Sequence, residues 1–94
     1  MKIKRRFPNS FSEFEDDETE HEVNSLDELL NIKWISEYKE NPKFIGMYYS
    51  SADYGGPDAL MALWEGERTA YFVVGYIFGD GKELGLKNYL DYIK

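Results

Sequence analysis

The chain reads as an α+β domain, an antiparallel meander of three to four strands with two or three short helices packed on one face. Three observations predict this. Aromatic and β-branched residues crowd into short runs between 44 and 78, separated by turn residues, as successive strands require. A capped, helically periodic stretch from Ser25 to Glu40 precedes them. Leu86, Leu90 and Ile93, at i, i+4 and i+7, follow them as the apolar stripe of a closing helix.

Taken in order, Lys2 to Phe7 alternates weakly and fits an edge strand, where lysine and arginine discourage stray pairing. Pro8, Asn9 and Ser10 end it. Residues 11–22 offer Phe11 and Phe14 but are otherwise mostly charged, so they read as a flexible acidic loop. Ser25 can cap a helix, Glu28 stands where a capping box needs it, and Val23 can staple against Leu29. Leu26, Leu29 and Leu30, then Trp34, Ile35 and Tyr38, give two short helices or one bent near 31–32. Asn41-Pro42 stops them. Phe44 to Tyr49, Leu60 to Trp64 and Thr69 to Phe78 are the three meander strands, with Gly55-Gly56-Pro57, Glu65-Gly66 and Gly79-Asp80-Gly81 as connections. The core expected from this layout is the meander, Trp34 and the last helix, with Leu63, Val73, Leu86 and Leu90 largely buried.

Ninety-four residues make one domain, spanning 1–94, which buries roughly 60–65% of the surface of its unfolded chain. Hydrophobic residues form 43% of the chain and aromatics 17%, which compensates for the small size because each ring removes so much area from water. There is no cysteine, hence no disulfide frame and no thiolate chemistry, and a reducing, cytoplasmic location is expected. The basic start at Lys2, Lys4, Arg5 and Arg6 lacks the apolar stretch of a signal peptide. The longest apolar run, Ala70 to Phe78, is too short for a membrane span, so no membrane association is expected.

Charge is segregated. Net charge is −7, yet residues 1–12 carry four basic groups and no acid, and 13–31 carry nine acids and neither lysine nor arginine. The remaining residues are nearly balanced, with nine acids and seven bases. The acidity therefore belongs to one segment.

Catalysis of the common kinds needs a positioned histidine or a perturbed acid in a cleft. The one histidine, His21, sits inside the acidic run, so the chain does not read as an enzyme. The run from Asp16 to Glu22 lacks the glycine and alternation of a calcium loop, and no metal or cofactor is expected. Gly79, Gly81 and Gly85 miss the dinucleotide fingerprint by one residue, and Glu83 stands where a phosphate loop needs serine or threonine. The Lys2–Arg6 cluster is too small, beside so much acid, to predict direct nucleic-acid binding.

A dense carboxylate patch attracts lysine and arginine surfaces, which are most often sites for nucleic acid. The expected function is a non-catalytic acidic interaction module, an inhibitor or neutraliser of a basic nuclease or nucleic-acid-binding protein by mimicry of phosphate charge. Glu13, Glu15, Asp16, Asp17, Glu18, Glu20 and Glu22 are its candidate partner-binding residues. The alternative is a small-ligand or nucleotide-binding protein with an aromatic pocket of Tyr48, Tyr49 and Tyr54, with Arg68 converging on it. The aromatic residues also exceed what one face of a small sheet can bury. The second row needs a cover, either the N-terminal arm or a partner chain, for which a homodimer is one arrangement.

Overall fold

The computed structural model describes residues 1–6, 20–51 and 55–93. Five antiparallel strands form one sheet: β1 (Lys2–Arg5), β2 (Glu20–Glu22), β3 (Phe44–Ser50), β4 (Asp58–Trp64) and β5 (Ala70–Phe78), in spatial order β2-β1-β5-β4-β3. The meander β3-β4-β5 is as expected, but the sheet has five strands where three to four are expected. Two departures account for the difference. β1 is an interior strand, paired to β5 on one side and β2 on the other. The last three residues of the expected acidic loop, Glu20 to Glu22, form β2 at the sheet edge.

Before the meander come α1 (Leu26–Leu30), α2 (Lys33–Ser36) and a 3₁₀ turn (Glu37–Glu40). Ser25 Oγ accepts the Glu28 N–H at 3.2 Å, and Glu28 reaches back to the Asn24 N–H at 3.1 Å, so the cap forms with its return bond one residue early. Val23 and Leu29 are both buried, consistent with the staple. These elements cover one sheet face. Leu29, Ile32, Trp34 and Ile35 pack with Ile3, Met47, Leu60, Ala62 and Ile77 in a single core.

Strand alternation alone puts Tyr71, Val73 and Ile77 on one side of β5 and Phe72, Val74, Tyr76 and Phe78 on the other. The register breaks that pattern. Leu60 pairs with Gly75 but Met61 with Val73, so β5 carries one extra residue at Val74. The bulge moves Phe72 onto the face of Ile77 and leaves Tyr71, Val73, Tyr76 and Phe78 on the other. At Gly75 β1 packs tightly against β5: a Cβ there would lie 2.6 Å from the Lys4 carbonyl oxygen.

The single closing helix is in fact two. α3 (Gly81–Leu84) is capped by Asp80, whose Oδ1 accepts the Lys82 N–H at 2.9 Å, and it ends at Gly85 with φ +107°. The Leu86 N–H then donates to the Gly81 carbonyl, closing a Schellman turn. Leu84 and Leu86 enter the core on the helix-covered face. The chain next passes the outer edge of β3, where the Tyr49 N–H donates to the Lys87 carbonyl at 3.0 Å. Asn88 caps α4 (Tyr89–Ile93) through the Leu90 N–H.

α4 lies on the opposite face of the sheet. Tyr89 meets Tyr71 with ring centroids 5.3 Å apart, and Tyr92 meets Tyr48 at 5.6 Å. The helices therefore flank both faces, not one, and the chain's own C-terminus covers part of the second aromatic row. This explains how Met61 and Leu63, on that second face, are buried while Leu90 is 49% exposed. Of the four expected core residues Leu63 and Leu86 are buried and Val73 half-buried. Leu90 is not, because Gly85 and Asn88 interrupt the stripe that would have carried it inward. Among the described residues, no helix is long and apolar enough to cross a membrane.

Candidate functional site

Two regions concentrate charged or aromatic groups. The first is the β1–β2 edge. Its ladder pairs Lys2 with Glu22, Ile3 with His21 and Lys4 with Glu20. Period-two alternation turns Ile3 and His21 towards the core face and sets the lysines and glutamates together on the other. Glu20 and Glu22 are exposed. The Lys4 ammonium stands 4.0 Å from Glu20, a loose exposed pair worth little in water, and Glu22 accepts the Met1 ammonium. Glu13, Glu15, Asp16, Asp17 and Glu18 lie outside the described residues. Their segment joins Arg6 to Glu20, so it leaves and re-enters the fold at one end of this ladder.

The residues of the expected aromatic pocket do not come together. Tyr48 pairs with Met61 and Tyr49 with Leu60, which sets the two rings on opposite faces of the sheet. Tyr48 packs on Tyr92, and its phenol pKa is raised above 10.0, first by desolvation and then by Tyr92. Tyr49 is covered by α3, where a Cβ on Gly81 would lie 2.8 Å from its ring. Arg68 is exposed in the β4–β5 connection, beyond Trp64 at the far end of β4. Tyr54 lies outside the described residues.

A different aromatic assembly stands on the helix-covered face, between α2, the 3₁₀ turn and the strands β3, β4 and β5. Trp34, Tyr38, Phe44, Trp64 and Phe72 form a chain of ring contacts with centroids 5.5–6.3 Å apart. The Arg5 guanidinium lies 5.2 Å from the centroid of the Trp34 ring. Arg5, Arg6, Tyr38, Trp64, Phe72, Val73 and Val74 line an open groove of about 320 Å³. Phe72 is 59% exposed there. Desolvation raises the Tyr38 phenol pKa above 10.0, opposed by the positive charge of Arg5 and reinforced by Glu37. The indole N–H of Trp34 is buried and makes no hydrogen bond among the described residues.

Sequence reasoning places the basic cluster and these rings in separate segments and does not join them. Joining them needs the β1–β5 pairing, which sets Arg5 opposite Gly75, and the bulge, which turns Phe72 to the same face as Trp64. Among the described residues, no three histidine or carboxylate side chains gather as metal ligands. Comparison with known proteins finds no matching family model, no matching curated protein and no matching solved structure.

Proposed function

We propose that the chain is a non-catalytic interaction module whose acidic segment engages a basic protein surface, and that its partner is a nuclease or another nucleic-acid-binding protein whose phosphate-binding groove it occupies. What supports the reading is the density and anchorage of the acids. Seven of the ten residues from 13 to 22 are Asp or Glu. The last two of the seven, Glu20 and Glu22, stand exposed on the edge strand β2. Such a density costs mutual repulsion, and the lysines across the ladder offset only part of it. A carboxylate array tethered at both ends to a sheet presents its charge with less entropy to lose than a free tail.

The test starts from the protein that the immobilised chain retains from its native host's lysate at low salt and releases on a salt gradient. Changing Asp16, Asp17, Glu18 and Glu20 together to Asn or Gln should slow its association strongly at low salt and much less at high salt, because steering is screened over a Debye length of about 8–10 Å near physiological ionic strength. An unchanged association rate at low salt overturns the proposal.

A further inference from the structure

The groove at the end of β5 has a chemistry opposite to that of the acidic edge. In a chain of net charge −7, two arginines border it, and among the described residues that line it there is no carboxylate. Its walls are the rings of Tyr38, Trp64 and Phe72. Phe72 is more than half exposed, so part of a ring stays open to water beside a preformed aromatic wall. Planar π systems stack on such surfaces, and guanidinium groups present forked donors matched to phosphate or carboxylate oxygens. Arg5 is held over Trp34, which reduces the side-chain freedom that binding would remove.

We infer that this groove binds a small planar aromatic anion of the nucleoside monophosphate class, with the base stacked against Phe72 and Trp64 and the phosphate at Arg5 and Arg6. Size and charge select one nucleotide over a strand. The volume of about 320 Å³ is at the small end of ligand sites, enough for one base and one phosphate. A longer polyanion would continue towards Glu37, the neighbour of Tyr38, whose charge opposes it. The inference is independent of the acidic segment's role, and either can fail without the other.

Trp64 lines the groove, so tryptophan fluorescence of the full chain reports occupancy. Adenosine monophosphate should give a saturable change, with an affinity about tenfold above that of adenosine or inorganic phosphate alone, since the ring and anion contacts reinforce each other. Phe72→Ser and Arg6→Gln should each weaken it about tenfold, whereas Phe78→Ser, on the other face, should leave it unchanged. Circular dichroism verifies that each variant is folded, and Arg6→Gln carries the test if Phe72→Ser is not. Absence of a saturable change overturns the inference, as does binding indifferent to both groove variants. Tighter binding of an oligothymidylate, or of a short peptide of alternating aspartate and phenylalanine, overturns it in favour of a strand or a protein segment.

Discussion

Replacing Gly75 with alanine tests the packing that creates the groove. Gly75 is buried in the middle of β5, paired with Arg5 of β1 and Leu60 of β4. An alanine Cβ would meet the Lys4 carbonyl oxygen at 2.6 Å, and would lie 3.4 Å from both the Lys4 carbonyl carbon and Trp34 Cη2. The oxygen is backbone within a paired strand, so no side-chain rotation relieves the contact. β1 has to retreat by several tenths of an ångström. That retreat strains the ladder to β5, including the 2.9 Å bond from the Arg6 N–H to the Val74 carbonyl. Overpacking costs about 1–3 kcal/mol, each weakened hydrogen bond up to about 1 kcal/mol, and the lower entropy of unfolded alanine returns about 0.4–1 kcal/mol. The net is about 1–3 kcal/mol, or a fall in thermal midpoint of roughly 5–20 °C for a domain of this size. Gly46→Ala is the control, because its Cβ meets only a Tyr48 ring carbon at an ordinary 3.6 Å. Thermal unfolding followed by circular dichroism should show Gly75→Ala well below wild type and Gly46→Ala close to it. Equal midpoints for the two variants would refute the close approach of β1 to β5, and with it the placement of Arg5 beside the aromatic wall.

Two further outcomes follow from burial. Leu63→Ala should destabilise by about 2–5 kcal/mol in urea unfolding, since Leu63 is fully buried between the sheet and the α4 face, while Leu90→Ala should cost less than about 0.5 kcal/mol because half of that side chain is already in water; similar losses would place α4 wrongly. Tyr38 and Tyr48 have phenol pKa values raised above 10.0, chiefly by desolvation. Below about pH 10 the phenols are neutral in both folded and unfolded chains; above it the unfolded chain ionises first, so their contribution to stability is lost as pH rises towards the folded values. Stability measured by urea unfolding should fall across this alkaline range, and the double variant Tyr38→Phe, Tyr48→Phe should show a shallower fall; an identical slope would contradict the burial of these hydroxyls.

The parts of the fold that depend on neighbours in sequence are legible in the sequence. Ser25, Glu28 and Val23 locate the start of α1 because capping and stapling act over three to six residues. Pro42 ends the helical stretch for an equally local reason. The β3-β4-β5 meander is readable because short connections leave antiparallel pairing as the natural outcome, and the confinement of net acidity to residues 13–31 needs no structure at all. One local signal was present but outweighed by periodicity. Gly85, a helix stop, directly precedes Leu86, and Asn88, a helix start, falls between Leu86 and Leu90, so the stripe spacing alone hides both.

The rest of the fold depends on strands that pair at a distance. The Lys and Arg content of β1 reads locally as an edge, but its place between β2 and β5 rests on contacts between residues more than fifteen positions apart along the chain and, for β5, some seventy apart. The bulge at Val74 is likewise a property of two strands together: it reverses which residues of β5 face the helices, and period-two reading of one strand carries no sign of it. Those two non-local facts bring Arg5 and Arg6 to the groove that Phe72 and Trp64 line. Local residue patterns set which groups are available and where α1 begins; the pairing of distant strands sets which of those groups meet, because side chains converge only after the backbone register has chosen their faces.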